Sequence, residues 1–241
     1  MSFRSLTSRT PDGFTNAGEQ QTMGNSGVPD PTWSRMYHND FNDYTATDFS
    51  ITITGTGTAA LTPSAGGTLQ LSTSAGVSDD IFFQKPVAGF PLTPGKATFI
   101  KFAGQLSSVT AALFYFGLLE TTATPLVPTD GIYISKDGSN NLTLNSMVGS
   151  VLTSVPIPGT DALVAGVSFE LGIEVDTLGN VAAYFNPTTG RNPRNVSGGR
   201  VAVLPLPVLT SVLLNPSFGI QNTTAAIHSL LVDYIVVSSE R

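Results

Sequence analysis

The stretch Phe169-Glu170-Leu171-Gly172-Ile173-Glu174-Val175-Asp176, continued by Thr177-Leu178-Gly179-Asn180 and Val181-Ala182-Ala183-Tyr184-Phe185-Asn186, decides the fold. In an extended strand successive side chains point to opposite faces. Phe169, Leu171, Ile173 and Val175 therefore share one face, and Glu170, Gly172, Glu174 and Asp176 share the other. A turn containing Gly179 and Asn180 then returns the chain into a second β run. This is an antiparallel hairpin with one face in a core and the other turned to solvent or a partner.

The same pattern continues on both sides. Gly131–Lys136, the Asp137-Gly138 turn signal and Asn141–Leu144 make a second hairpin. From Tyr37 onward, short runs of β-formers alternate with Gly, Pro, Asn and Asp. Strands are expected near Asp48–Thr54, Thr68–Ser72, Ile81–Gln84, Ala97–Leu106, Ala111–Leu119, Gly131–Lys136, Asn141–Met147, Ser168–Asp176, Asn180–Phe185, Ser217–Gln221 and Ala225–Val237. About eleven strands with almost no helical period predict an all-β, two-sheet antiparallel sandwich. Gly55-Thr56-Gly57-Thr58 reads as a turn between strands, since no Gly-Lys-Ser/Thr phosphate loop follows it. Asn186 to Pro207 reads as a long loop carrying Arg191, Arg194 and Arg200, either solvated surface or a basic patch for an acidic neighbour.

Residues Met1 to Met36 differ. Isolated Phe3, Leu6, Phe14, Met23 and Trp33 stand among Ser, Thr, Gly, Asn, Gln and Pro without any period. Such a segment cannot close a core of its own. It is expected to be an extended N-terminal arm (1–36) leading into one sandwich domain (37–241), either a solvated tail or a segment ordered by docking on another subunit.

Charged residues are 12% of the 241-residue chain and the net charge is −6. With Lys and Arg scattered, no basic stripe exists to neutralise several phosphates, so direct nucleic-acid binding is not expected. Without cysteine there is no disulfide framework and no thiolate metal site. Met1 to Thr10 holds Arg4 and Arg9 but no apolar run of signal-peptide length. No stretch approaches the roughly 20 apolar residues of a membrane-spanning helix. The chain is expected to be made in the cytoplasm and to contact no membrane.

Catalytic patterns are incomplete. His38 and His228 stand apart, without a Gly-x-Ser-x-Gly elbow, and two isolated histidines cannot assemble a zinc or iron site. Calcium is the metal to weigh, because His38–Asp43 and Ser78-Asp79-Asp80 offer oxygens near loops, but neither fits a fixed calcium loop. No cofactor is expected. Glu174 and Asp176 would lie on one strand face, as in sandwich glucanases. The expected further Glu is absent after them, and Glu170 lies roughly 13 Å along the strand from Glu174 at ~3.3 Å per residue. These carboxylates therefore read as a solvated strand face, and the chain as a non-enzyme.

Taken in order, several segments carry a resemblance: Gly67–Leu71, Asp79-Asp80, Phe83–Pro86, Pro94–Phe99, Phe116-Gly117-Leu118, Asp130–Tyr133, Phe169–Asp176 before Gly179-Asn180-Val181, Pro216–Ile220 and Leu231–Val237. From about Asp40 to Arg241 the chain resembles the concanavalin A-like, jelly-roll decoration or cement proteins of tailed bacteriophage heads. The resemblance implies a structural virion protein on the outer surface of the capsid, bridging major capsid protein subunits and commonly self-associated as a homotrimer. Symmetry multiplies each modest contact of such a protein, and an arm reaches across subunit boundaries that a sandwich cannot span. Phe3, Leu6, Phe14 and Trp33 are its expected anchors, Trp33 foremost because aromatic anchors dominate interfaces. Packing of Trp33 on its own sandwich is the alternative.

The second reading is a lectin-like, carbohydrate-binding module of a virion adsorption apparatus. Sugar sites combine an exposed aromatic platform with Asn or Asp and often calcium. The single Trp lies in the arm, and the Tyr and Phe residues are expected mostly to alternate into the core.

Overall fold

A computed structural model describes residues 34–63, 67–86, 89–158, 163–186, 202–205 and 212–241. The strands in chain order are β1 (Ser34–Asn39), β2 (Ser50–Thr54), β3 (Thr58–Thr62), β4 (Thr68–Ser72), β5 (Asp80–Gln84), β6 (Phe90–Pro91), β7 (Thr98–Leu106) and β8 (Ala112–Leu119). They continue as β9 (Gly131–Lys136), β10 (Leu142–Val148), β11 (Val151–Ile157), β12 (Ser168–Val175), β13 (Asn180–Asn186), β14 (Ala202–Pro205), β15 (Leu213–Asn222) and β16 (Ser229–Glu240). One 3-10 turn, Ala46–Asp48, precedes β2. Among the described residues, no helix is long and apolar enough to cross a membrane.

The strands form two 8-stranded sheets. The first runs β14-β13-β12-β7-β16-β4-β3 with β1 beside β16, and the second runs β11-β10-β9-β8-β15-β5-β2 with β6 beside β15. Every pairing is antiparallel, as short turn-linked strands dictate. The chain is the predicted two-sheet jelly-roll sandwich. The hairpin of the opening stretch is β12–β13, with Leu171 opposite Phe185 and Ile173 opposite Ala183.

The core lies between the sheets. Phe102, Phe114, Phe116, Phe169 and Phe218 meet there, with Phe83 stacked on Phe218 at 5.5 Å and Phe102 against Phe116 at 4.8 Å. Burying each such ring is worth about 1.5–3 kcal/mol before the ring-on-ring geometry adds more.

The structure corrects several expectations. β1 straddles the expected boundary at residues 36 and 37: Ser34 pairs with Glu240 and Met36 with Ser238, so Ser34–Met36 belong to the first sheet. Its polar sequence hides it, because it borrows its order from β16 instead of from its own burial. β3, β6, β11 and β14 also escaped the sequence reading. β14 lies inside the stretch read as a long loop and pairs with Asn180–Ala183. The last strand starts at Ser229, not Ala225, and is bulged: its register against β7 shifts between Val232 and Tyr234. The extra residue, Asp233, reverses the alternation. Leu230 and Val232 face the core on one side of the bulge and Ile235 and Val237 on the other, leaving Tyr234 and Val236 on the outer face.

Candidate functional site

Six connections converge at one end of the sandwich: 55–57, 73–79, 107–111, 137–141, 163–167 and 223–228. Backbone bonds tie them in sequence. Thr73 N–H donates to His228 C=O (3.0 Å), Ser78 N–H to Asn222 C=O (3.1 Å), Thr223 N–H to Ala111 C=O (2.9 Å) and Gly166 N–H to Leu106 C=O (2.8 Å). Asn140 Nδ2 reaches Leu163 C=O at 3.3 Å.

Asn222, buried at the end of β15, is the hub. Its Nδ2 donates to the carbonyls of Ser74 (2.6 Å), Gly76 (3.2 Å) and Ala226 (2.7 Å), and its Oδ1 accepts from Thr73 Oγ1 at 2.6 Å. A buried amide with its bonds satisfied fixes loops that have no side-chain core.

The carboxylates at this end accept hydrogen bonds from their own loops, Asp79 half-buried and Asp137 exposed. Asp79 Oδ2 accepts from Ser74 Oγ (2.5 Å) and Gly76 N–H (2.7 Å). Asp137 Oδ1 accepts from Ser139 N–H (2.8 Å) and Asn141 N–H (2.9 Å). Partial burial pulls the Asp137 carboxyl upward, but the donors of Asn141 and Ser139 and the Lys136 charge outweigh it and leave the group below its ordinary value. Burial lowers the pKa of His228, whose Nε2 meets Thr224 Oγ1 at 3.2 Å. Beneath the loops, the buried Lys136 Nζ donates to Ala112 C=O and Asp137 C=O, each at 2.7 Å. Burial lowers its pKa to about 8.

The six connections hold no Lys, Arg or Glu and no Phe, Tyr or Trp. The large apolar side chains they expose are Val77 (61% exposed), Val164 (53%) and Ile227 (66%), set among exposed Ser, Thr and Gly residues and the exposed Asp137. Small residues around β-branched tips make a surface of low charge, with Asp137 as its exposed carboxylate. No sequence pattern marks these three residues, because each stands alone in a segment of mostly small residues, outside any alternation.

The outer faces of the sheets differ from this end. On the first sheet, Lys101 of β7 contacts Glu170 of β12 at 3.2 Å and lies 5.6 Å above the Tyr234 ring. Tyr234 OH donates to the other Glu170 oxygen at 2.6 Å, and Tyr184 OH donates to Glu174. Asp176 is spent on its own turn, accepting from Leu178 N–H (2.9 Å) and Asn180 N–H (2.8 Å). The carboxylates expected on a solvated strand face instead form a partly buried bonded network.

On the second sheet, Phe82, Tyr115 and Tyr133 form a row with centroids 6.3 and 6.4 Å apart. A Cβ on Gly219 would stand 2.4 Å from the Phe82 ring, and one on Gly117 would stand 2.6 Å from Tyr133 Cβ, so both positions require glycine. The expectation that Tyr and Phe point mostly into the core holds for the phenylalanines. Tyr115, Tyr133, Tyr184 and Tyr234 instead alternate outward with their strands. The row offers little ring surface, with Phe82 1% and Tyr133 6% exposed and Tyr115 half-buried. Burial raises the Tyr133 pKa to about 12 and also raises that of Tyr115.

The expected arm anchors Phe3, Leu6, Phe14 and Trp33 lie outside the described residues, as do Arg191, Arg194 and Arg200. Of the oxygen ligands weighed for calcium, Asp40 accepts from Asn42 Nδ2 (2.8 Å), Asn39 Oδ1 from Phe41 N–H (2.8 Å) and Asp80 Oδ1 from Thr54 N–H (3.1 Å). Among the described residues, no group of three or more His, Asp or Glu is placed to hold a metal ion.

No protein-family model matches the sequence, and no curated protein matches it. Solved structures do share its architecture. The endo-1,3-β-glucanase of Streptomyces sioyaensis is 12% identical, over 87% of this chain and 97% of that one, with a TM-score of 0.56. Peanut lectin is 8% identical over 86% and 97%, with a TM-score of 0.54. The CBM2 module of the evolved Dit of Lactobacillus casei BL23 phage J-1 is 12% identical over 86% and 96%, also with a TM-score of 0.54. At such identities the likeness is one of fold, a fold that carries both hydrolases and binding modules. The chain is a concanavalin A-like, lectin-like jelly-roll sandwich.

Proposed function

We propose that this protein is a non-catalytic structural component of a virion, which decorates and cements the outer surface of a phage capsid by bridging major capsid protein subunits. The observation that carries this reading is the loop end: a hydrogen-bonded surface of low charge and without aromatic rings, presenting Val77, Val164 and Ile227. The central part of a protein–protein interface is depleted of charge, and this end carries little of it. A sugar site needs an aromatic platform, and the six connections hold no Phe, Tyr or Trp. The resemblance of residues 40–241 to capsid decoration proteins supports the same reading. The arm anchors Phe3, Leu6, Phe14 and Trp33 supply the second point of attachment.

The test is binding of the purified chain to expanded capsids that lack it, read by co-sedimentation. Ile227→Asp is expected to weaken binding tenfold or more, since a charge forced into an apolar contact is left unpaired. Removal of residues 1–33 is expected to leave the sandwich folded and to lower capsid affinity. Wild-type protein that fails to bind, or Ile227→Asp that binds as wild type, overturns the assignment.

The second reading, carbohydrate binding, has one observation in its favour: the Phe82, Tyr115 and Tyr133 row on the second sheet. Glycan-array binding that disappears in Tyr115→Ala would put it first.

A further inference from the structure

We propose that two copies of this chain pair through their β11 edges across a two-fold axis at Thr153, joining their second sheets into one. Gly149 and Ser150 between β10 and β11 both have positive φ (53° and 67°), and Val148 faces Val151. That is a two-residue hairpin loop of the primed type, in which the flanking residues exchange both backbone bonds. Val151, Thr153, Val155 and Ile157 therefore aim their N–H and C=O groups at β10. Leu152, Ser154 and Pro156 aim theirs away. The alternation agrees across the sheet: Asp137 N–H donates to Asn141 C=O (3.0 Å) and Glu120 N–H to Asp130 C=O (3.1 Å), as β9 and β8 then require.

β11 is the last strand of its sheet among the described residues, and although β14 of the first sheet approaches it, its first half is exposed, with Val151 70% and Leu152 52% exposed and Thr153 and Ser154 also exposed. Natural sheet edges are guarded by charge or proline. From Val148 to Pro158 there is no charged residue, and Pro156 guards only the far part of the edge.

A second copy is the occupant that this pattern fits. Centred on Thr153, two-fold pairing sets Leu152 against Ser154 of the second copy and Ser154 against its Leu152, so all the free donors find carbonyls. Pro156 then faces Ser150, whose N–H is already given to Thr129 C=O at 2.9 Å, so no ladder bond is lost there. Val151 comes opposite Val155. The molecule carries a net charge of −6, but this contact brings no like charges together.

Sedimentation velocity on the full chain tests this, independently of capsid binding. Thr153→Lys sets two like charges opposite each other at the axis and is expected to halve the mass of the wild-type species while leaving its circular dichroism unchanged. Mixing Thr153→Lys with Thr153→Glu is expected to restore the larger species at one-to-one composition. A monomeric wild type at micromolar concentration, or a Thr153→Lys variant of unchanged mass, overturns the proposal.

Discussion

The outer face of the first sheet and the loop end use charge in opposite ways. On the sheet, Lys101, Glu170 and Tyr234 bring a full ion pair and a hydroxyl into a partly buried cluster on rigid strands. At the loop end, Asp79 and Asp137 accept from backbone N–H groups of their own loops, and the large side chains exposed beside them are the apolar Val77, Val164 and Ile227. In a chain with only 12% charged residues, charge is thus largely consumed in holding geometry, and the part poorest in it is the part suited to docking. The difference separates residues that keep the sandwich in shape from residues that can meet a partner, and each substitution below should fall on one side of that line.

The largest effect is expected on the sheet. Glu170→Ala leaves Lys101 buried without its counter-charge and removes the acceptor of Tyr234, which should cost about 3–5 kcal/mol in the denaturant midpoint analysis. Replacing both partners with apolar residues, Lys101→Met with Glu170→Leu, should recover most of that loss, because the penalty lies in the orphaned charge. A Glu170→Ala variant as stable as wild type would mean that the cluster is solvated and that the contrast with the loop end is false.

Lys136 gives a smaller, pH-dependent effect. Its pKa falls from 10.5 to about 8 in the folded chain. Between those values the unfolded chain holds a proton that the folded chain has released, so stability rises with pH over that window. Tyr133 acts in the opposite sense. Its pKa rises from 10.0 to about 12, so the unfolded chain ionises first and stability falls as the pH climbs beyond 10. Thermal melts should therefore show stability climbing from pH 8 and turning over near 10. Lys136→Met should flatten the climb and leave the fall; a climb that survives the substitution would assign it to another group.

What the sequence made legible follows from burial. β12 and β13 alternate cleanly because one face of each is in the core, and their pattern alone predicts the hairpin and the two-sheet class. β1 and β11 lie beside a longer strand or at an edge, and with little of their own surface buried they carry no period to read, while β14 is only four residues long. The bulge at Asp233 was hidden because Leu230 to Val237 is apolar at nearly every position, so either phase would have fitted. The candidate site was the least legible part. Its three apolar tips come from connections distant in sequence, brought to one end by long-range backbone bonds and by the side chains of Asn222, Thr73 and Asn140. The Glu170 network was read as solvated because its partners Lys101 and Tyr234 come from other strands.

The smallest stability effect belongs to the loop end, and it sharpens the comparison most. Ile227 and Val77 are exposed, and among the described residues neither packs with the core clusters. Ile227→Asp and Val77→Asp should therefore shift folding stability by no more than about 0.5 kcal/mol, as surface changes away from caps, cavities and charge networks do. The same Ile227→Asp protein should lose capsid binding, whereas a fold-directed role would lower stability and binding together. A melting temperature unchanged from wild type beside a lost capsid pellet would separate the two roles in one variant. Coincident loss of both would move Ile227 to the structural side and leave the docking end to Val77 and Val164.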